Sequence, residues 1–394
     1  MAVRILSKAT AQFALGATGL LALILSLVIG LNIYDGPFPP IKAVLIPTFI
    51  ADSVDLKSAT HQAALATHAH NTSLGFGEIV YISMPDRTDR QDAMNLLAYT
   101  FDLKLKFLPG ISGADISAKA IPDAVPRRLR QSELGCWRAH ANVWRYLLDS
   151  NMDTVLVLED DIDWNPNVKQ TFETLSLQMQ NSTVRLNEPS DYERANAPYG
   201  LDWDILYLGS CKHGGNPDFK NLVQLWDDPD VPDPEHLTKT TIEALQSFGL
   251  ANAEIGKKRV LAPAYRTECN TAYAITRQGA QRLLFTMSYT GLHGAVDEDM
   301  TRLFREGRLK GYTITPPVFS QFRVGGAKDT DNKLPGDPRL GDSINGKGNL
   351  HGWNYDIKGS ARQSMAETLE LHVWEDYKRV RPETFVGAKV EGTV

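Results

Sequence analysis

From about Gly77 onward, the chain contains two kinds of apolar pattern, which alternate along the sequence. Short, nearly continuous apolar segments, which are typical of buried strands, recur between longer amphipathic segments, which are typical of helices. The predicted strands are EIVYISM (78–84), LKLKFLPG (103–110), TVLVL (154–158), WDILYLG (203–209), TAYAIT (271–276) and YTITPP (312–317). This alternation predicts an α/β domain with a mostly parallel central sheet.

The clearest predicted helix covers 132–150, SELGCWRAHANVWRYLLDS. Its apolar residues recur at helical spacing, and Ser132 stands where it can cap the first turn. Further helices are predicted from near Arg87, through RQGAQRLLFTM after the fifth strand, and at roughly 361–379. These amphipathic segments supply the layers that would cover the two faces of the sheet.

Two regions lack a regular apolar pattern. The region 215–265 is rich in Asp, Pro and Asn, which predicts long loops and a short helix. The region 325–360 has many glycines and aspartates and little apolar content. It predicts a long loop that is either mobile or functional.

An uncharged segment from Ala9 to Tyr34 differs from the rest of the chain. Arg4 and Lys8 precede it, and its length is sufficient for a bilayer, which takes roughly 20 apolar residues. A cleaved signal peptide is the alternative, but such peptides have a shorter apolar core of about 7–15 residues and a small-residue cleavage site, which is not evident here. The basic flank predicts a cytosolic N-terminus and a lumenal or external domain.

The predicted organisation follows from these patterns. It comprises a cytosolic tail (1–10), a transmembrane signal anchor (11–34), a stem (35–75), a catalytic domain (76–325) and a C-terminal loop and helix packed on that domain (326–394). Two glycosylation sequons, at Asn71 and Asn181, agree with a lumenal domain.

Composition narrows the class of partner. The 394 residues carry a net charge of −6 and show no strong basic stripe, so nucleic acid is not an expected partner. The three cysteines, Cys136, Cys211 and Cys269, form no CxxC pair, which argues against a structural zinc site. An odd count allows at most one internal disulfide, and a bond between Cys211 and Cys269 is one option.

Three adjacent carboxylates, Glu159, Asp160 and Asp161, follow the buried-strand pattern of 154–158. In open α/β sheets, ligands bind beyond the carboxyl ends of the strands. A divalent cation would offset the repulsion between these charges, and hard cations such as Mg²⁺ and Mn²⁺ prefer oxygen ligands and can bind a diphosphate. The stretch therefore predicts a metal-dependent enzyme that acts on a phosphate ester or a nucleotide diphosphate.

Two other interpretations of the acidic stretch stay open. It can be a solvated turn in which Asp161 or Asp163 caps the following segment. Asp161 and Asp163 also have the DxD spacing of haloacid dehalogenase-type phosphatases, although Trp164 stands where those enzymes have Thr or Val.

Four sequence blocks, in this order, resemble glycosyltransferase family 25, the lipopolysaccharide and procollagen galactosyltransferase group. The blocks are VYISMPDRTDR (80–90), SELGCWRAHANVWRYLL (132–148), VLVLEDDIDW (155–164), and TAYAITRQGAQRLL (271–284) followed by the acidic VDEDM (296–300). One departure is Ala139, which precedes His140 where the family usually has Ser. The resemblance implies a GT-A fold, a nucleotide-sugar donor, a divalent metal that is often Mn²⁺, and inversion at the sugar C1. The predicted tail, anchor, stem and lumenal domain match the organisation of type II Golgi transferases.

Specific roles are predicted for the acidic stretch and its surroundings. Asp161 is the predicted direct metal ligand, and Glu159 and Asp160 are predicted to help bind the metal, the ribose or their neighbours. Arg87 and Arg90 are predicted to contact the nucleotide or diphosphate, because Arg can make bidentate bonds. A solvated helix start paired with nearby aspartates is the alternative for these two residues.

Two residues of the 132–150 helix are predicted to lie at the donor site. His140 is expected near the donor, with a hydrogen-bonded core histidine as the alternative. Glu133 is expected there too, although a favourable interaction with the helix dipole explains a carboxylate at this position equally well.

A general base is expected in the segment that opens the helix at 296–300. An inverting transfer needs a carboxylate to take the proton of the acceptor hydroxyl as that oxygen attacks C1. Asp297 is the first candidate and Glu298 the second. The alternative for both is the ordinary acidic start of a helix.

The sequence thus predicts an inverting, metal-dependent glycosyltransferase in a Golgi or other secretory-pathway membrane. It would move a hexose, galactose or glucose, from a UDP-sugar to a hydroxyl of a glycan or glycoprotein. The alternatives are a catalytically inactive lumenal binding protein of the same fold and a metal-dependent phosphohydrolase.

Overall fold

A computed structural model of the chain describes residues 64–122, 129–185, 188–212, 214–219, 222–324 and 352–370. The predicted cytosolic tail and anchor, most of the predicted stem and most of the region 325–360 lie outside these residues. Within the described residues, no helix has both the length and the apolar character needed to cross a membrane.

The described domain alternates strands and helices along the chain. The strands are β1 (Glu78–Ser83), β2 (Leu105–Pro109), β3 (Thr154–Glu159), β4 (Ile162–Trp164), β5 (Ile205–Gly209), β6 (Gln224–Asp227), β7 (Lys258–Pro263), β8 (Ala272–Thr276), β9 (Gly311–Thr315), β10 (Phe319–Gln321), β11 (Arg323–Val324) and β12 (Gly352–Trp353). The helices are α1 (Thr88–Thr100), α2 (Gln131–Asp149), α3 (Val168–Gln180), α4 (Asp191–Asn196), α5 (Lys239–Ser247), α6 (Arg277–Leu283), which a π-helical segment (Leu284–Thr290) continues, α7 (Val296–Arg305) and α8 (Ala361–Glu370). Short 3-10 turns connect several of them. The α/β class predicted from the sequence is confirmed.

The main sheet has eight strands in the order β2-β1-β3-β8-β5-β9-β7-β6. β1 pairs in parallel with β2 and β3, and β5 pairs in parallel with β9. β8 lies antiparallel between β3 and β5, and β7 lies antiparallel between β9 and β6. Most strands therefore run the same way, but the sheet is mixed, because β7 and β8 run in the opposite direction.

The region 215–265 contains more structure than its composition predicts. The expected short helix is present as α5, but β6 and β7 also lie there and extend the sheet. β6 has only four residues and β7 begins with Lys258 and Arg259, so neither has the apolar pattern of a typical buried strand. The prediction of long loops and a short helix was therefore incomplete, because it missed these two strands.

Two apolar cores cover the two faces of the main sheet. The residues of β3 alternate between them, since Leu156 and Leu158 lie in one core and Val155 and Val157 in the other. The first core includes side chains of α1, α3 and α8, and the second includes side chains of α2, α6 and α7. Burial on both faces explains why the strand sequence is continuously apolar rather than alternating.

The end of the predicted stem is part of the folded domain. Residues 64–69 are helical, and Ala69 and Leu74 are fully buried in the first core. The domain therefore begins before the boundary at residue 76 that the sequence predicted.

Asp163 attaches the C-terminal segment to the sheet. Its fully buried carboxylate accepts hydrogen bonds from the Asn354 amide and the Ser360 hydroxyl, both at 2.5 Å, and from the backbone N–H of Arg362 at 3.2 Å. A fourth bond comes from the backbone N–H of Trp164 at 2.9 Å. These donors offset the cost of burying the carboxylate, and three of them belong to the segment 352–370.

The guanidinium of Arg362 completes this attachment. It donates to the carbonyl oxygens of Ile162 at 2.8 Å and Asp160 at 3.3 Å, and it lies over the Phe322 ring, 4.6 Å from the centroid. The C-terminal helix α8 is thus bound directly to the backbone of residues 160–162, the acidic turn that follows β3.

We expect Asp163→Asn to lower the free energy of unfolding by about 3–5 kcal/mol. The Asn side chain would place an NH₂ group, itself a donor, against groups that donate to the Asp163 carboxylate. It would also remove the negative charge beside the buried Arg362. Denaturant titration at neutral pH measures the change. Asp102→Asn is the matched control, because Asp102 pairs with Lys169 at the surface and should cost less than about 1 kcal/mol. Equal losses in the two variants would contradict this account of the C-terminal attachment.

Candidate functional site

The predicted site residues come together at one edge of the main sheet. The carboxyl ends of β1, β3 and β5 meet the amino end of β8 there, as the strand registers require. The acidic stretch leaves β3 at this edge, and the backbone N–H of Glu159 still donates to the carbonyl oxygen of Thr271, which precedes β8, at 3.0 Å. The stretch thus lies where ligands bind in open α/β sheets.

Asp160 is the buried member of the acidic stretch. Its Oδ1 accepts a hydrogen bond from Arg90 at 2.5 Å, and its Oδ2 accepts one from the Ser83 hydroxyl at 2.6 Å. Burial raises the pKa of the Asp160 carboxyl, while Arg90 and Ser83 act in the opposite direction. Both carboxylate oxygens are therefore engaged with the protein, and Arg90 provides the compensating charge.

Arg87 and Arg90, for which the sequence predicted the same role, have different surroundings. Arg87 lies at the start of α1 and makes a bidentate pair with Asp89, with distances of 3.0 and 2.9 Å. Arg90 is buried, and its guanidinium lies 3.8 Å from Asp161 in addition to its bond with Asp160. Of the two, Arg90 thus belongs directly to the acidic turn.

Glu159 and Asp161 are the more accessible carboxylates. Their side chains are 27% and 20% exposed, against 9% for Asp160. Glu159 faces His140, with its Oε1 at 3.8 Å from the imidazole Nε2. These two carboxylates can present oxygen ligands to a hard divalent cation, so the residues present fit the metal that the sequence predicted.

His140 is held by residues that the sequence did not single out. Its Nδ1 lies 3.0 Å from the Tyr273 hydroxyl, which also accepts a hydrogen bond from Trp144 Nε1 at 3.0 Å. All three side chains are buried. In the sequence, the contact between Tyr273 and His140 is indicated only by the presence of a phenol in the mostly apolar strand β8.

Asp297 lies at the start of α7 beside the same sheet edge. Its Oδ2 accepts a hydrogen bond from the backbone N–H of Cys269 at 3.0 Å. Cys269 is bonded to Cys211 in a disulfide and has a φ of 66°, a left-handed conformation that is uncommon outside glycine. The disulfide, one of the options that the sequence left open, thus joins the end of β5 to the residue that orients Asp297.

The start of α2 faces this acidic edge. Burial raises the pKa of the Cys136 thiol, and the charges of Glu159, Asp297 and Glu133 raise it further. Glu133 is itself buried and accepts hydrogen bonds from the backbone N–H and the guanidinium of Arg130, both at 2.8 Å. The charges of Glu133, Glu159 and Asp297, which are far apart in the sequence, therefore all act on one thiol.

The remaining residues of the acidic α7 start differ in exposure. Glu298 is exposed, and its charge contributes to the raised pKa of Arg130, after the larger effect of the hydrogen bond that Arg130 donates to Glu133. Asp299 is buried and accepts hydrogen bonds from the backbone N–H of His293 at 2.9 Å and from Arg302 at 3.0 Å. Asp299 thus stabilises the start of the helix, and Asp297 and Glu298 remain nearest to solvent.

Known proteins share part of this chain. Residues 76–198 match the family model described as "Glycosyltransferase family 25 (LPS biosynthesis protein)". Procollagen galactosyltransferase 1 of Danio rerio is 26% identical over 148 residues, which cover 34% of this chain and 22% of the fish protein. Procollagen galactosyltransferase 2 of Mus musculus is 27% identical over 148 residues, which cover 34% of this chain and 21% of the mouse protein. A Homo sapiens protein named "Inactive glycosyltransferase 25 family member 3" is 26% identical over 165 residues, which cover 39% of this chain and 24% of the human protein.

An α/β domain with this acidic sheet edge is thus similar to proteins of the glycosyltransferase class. The match of residues 76–198 to the glycosyltransferase family 25 model confirms the resemblance carried by the sequence blocks. The chain matches only about a fifth to a quarter of the length of these relatives. The family model covers the acidic stretch and His140, whereas Asp297 and Glu298 lie beyond it.

We expect Arg90→Ala to cost about 3–5 kcal/mol of folding free energy, because it leaves the buried Asp160 carboxylate without its compensating charge. Arg87→Ala, which removes a half-exposed pair with Asp89, should cost less than about 1 kcal/mol. Denaturant titration of both variants measures the difference.

The loss of folding free energy in Arg90→Ala should also depend on pH. Without Arg90, the folded-state pKa of Asp160 rises further, so folding favours the protonated acid and stability is lost as pH increases through that pKa. The deficit should therefore narrow as the pH is lowered. A deficit that does not change with pH would show that charge compensation is not the cause.

Proposed function

We propose that the domain is an inverting, metal-dependent glycosyltransferase. It transfers a hexose, galactose or glucose, from a UDP-sugar to a hydroxyl of a glycan or glycoprotein acceptor. One observation carries this proposal: the segment that matches the family also forms the acidic part of the sheet edge. Residues 76–198 contain the accessible carboxylates Glu159 and Asp161 together with the buried residues that support them. The names of two relatives, both procollagen galactosyltransferases, favour galactose and a protein acceptor.

In this proposal the donor diphosphate binds beside the acidic turn. Glu159 and Asp161 would bind the divalent cation, Mn²⁺ or Mg²⁺, which when bound offsets the negative charge of the diphosphate. Asp160 keeps the turn in place through Ser83 and Arg90. Arg87 lies beside this turn at the start of α1 and is the proposed contact to the nucleotide.

Asp297 is the proposed general base. The acceptor hydroxyl gives its proton to the Asp297 carboxylate as its oxygen bonds to the sugar C1, and the bond between C1 and the diphosphate oxygen breaks to release UDP. The Cys269 amide orients the carboxylate for this step. Glu298, one residue on and more exposed, is the second candidate for the base.

We also propose that the domain works in the lumen of the secretory pathway, on a membrane-anchored chain. The Cys211–Cys269 disulfide supports this location, because structural disulfides persist in oxidising compartments. The apolar segment at 11–34, with its basic flank, supports the anchor and its orientation.

A non-catalytic role is the second candidate function. It is favoured by one specific observation, the similarity to a human protein whose name describes it as inactive. Under this hypothesis the fold and the acidic edge persist, and a bound sugar or nucleotide is not transferred.

A panel of UDP-sugars tests the proposed function on the full chain purified in detergent. We expect UDP release with UDP-galactose or UDP-glucose when an acceptor such as a collagen peptide is present. A chelator should abolish the release and Mn²⁺ should restore it. Release of free sugar or phosphate without acceptor would instead indicate a hydrolase, and binding of UDP without any transfer would indicate the non-catalytic role.

Asp297→Asn should lower kcat by about 10²–10⁴-fold without changing the melting temperature, because it removes the proton acceptor and keeps the side-chain shape. Glu298→Gln is the matched comparison and should retain most of the activity. Steady-state kinetics over a range of pH measures both variants. If Glu298→Gln shows the larger loss, the base is Glu298 rather than Asp297.

A further inference from the structure

Cys136, His140 and Glu159 form a compact group of potential metal ligands. The thiol sulfur, an imidazole nitrogen and a carboxylate oxygen all lie within 4.8 Å of one another. Cys136 and His140 are one turn apart on the same face of α2, and Glu159 ends β3. Cys136 and His140 are four residues apart in the sequence, and the fold adds the distant Glu159 to them.

The imidazole of His140 is oriented for coordination. Its Nδ1 is engaged by the Tyr273 hydroxyl, so Nε2 is the nitrogen that faces Glu159. A hydrogen-bond partner on one imidazole nitrogen commonly sets the orientation of a metal-binding histidine. The 3.8 Å between Nε2 and the Glu159 oxygen is too long for a direct hydrogen bond. It is close to the spacing of about 3.3 Å between two ligands on one tetrahedral cation.

We propose that Cys136, His140 and Glu159 bind a thiophilic divalent cation such as Zn²⁺. The ligands are the thiolate sulfur, the imidazole Nε2 and a carboxylate oxygen, and water occupies the fourth position. On binding, the Cys136 S–H bond is replaced by a sulfur–metal bond, and the proton passes to solvent. The cation can reach the site from solvent, because the Glu159 side chain is partly exposed and the thiol is only half-buried.

This site differs in chemistry from the hard-cation site at Glu159 and Asp161. Thiolate and imidazole favour Zn²⁺ or Co²⁺, whereas Mn²⁺ and Mg²⁺ favour oxygen ligands. Because Glu159 belongs to both groups, a thiophilic cation should compete with Mn²⁺ for it. The existence of the site does not depend on the proposed transferase activity.

Titration of the full chain with Co²⁺, with the disulfide intact, tests the proposal. Cobalt bound by a thiolate gives a sulfur-to-metal charge-transfer absorption in the near ultraviolet, which oxygen and nitrogen ligands do not give. The chain has three cysteines, and Cys211 and Cys269 are joined in the disulfide, so this absorption reports on Cys136. We expect the absorption to saturate at about one Co²⁺ per chain and to disappear when Zn²⁺ displaces the cobalt.

Three variants make the test specific. Cys136→Ser should abolish the absorption, and Glu159→Gln should weaken Co²⁺ binding by at least about tenfold. Glu235→Gln is the matched control, because Glu235 belongs to a separate exposed group with Asp233 and His236 that contains no thiol. Thermal melts establish that each variant is folded.

Three outcomes would overturn the proposal. They are the absence of the absorption in the folded wild-type chain, its persistence in Cys136→Ser, and an affinity for Co²⁺ that Glu159→Gln leaves unchanged or that falls only in Glu235→Gln.

Discussion

The buried carboxylate of Asp160 is stable only because Arg90 and Ser83 satisfy both of its oxygens. A carboxylate removed from water costs several kcal/mol unless a paired charge and hydrogen bonds compensate. That compensation joins β1, α1 and the end of β3 in one contact. The acidic turn is therefore part of the folded core on one side and accessible on the other, where Glu159 and Asp161 reach solvent.

The rest of the edge is arranged around this contact by long-range connections. Asp163 and Arg362 attach the C-terminal helix to the backbone of the same turn. The Cys211–Cys269 disulfide connects the end of β5 to the residue whose amide orients Asp297. Each connection joins segments that are distant in sequence. The acidic turn and Asp297 are thus positioned by the tertiary fold and not by local secondary structure alone.

Most of the strands that carry the site were predictable, because burial on both faces gives a continuous apolar sequence such as Val155 to Leu158. Strand direction was not predictable, since β8 has the same local pattern whether it runs parallel or antiparallel to β3. β6 and β7 were missed because short strands with charged residues lack that pattern. The pairing of Ser83 and Arg90 with Asp160 was equally out of reach, because it depends on the register between β1 and β3.

The position of Glu159 places it in both of the metal-ligand sets that we propose. As the last residue of β3, it lies beside Asp161 on the turn and also faces His140 on α2. With Asp161 it offers oxygen ligands alone, and with His140 and Cys136 it completes a softer set. Under the two proposals, the choice between a hard and a thiophilic cation depends on which neighbour shares the cation with Glu159. Because α2 and the turn are held separately, by Tyr273 and by Arg90, both sets are available in one fold.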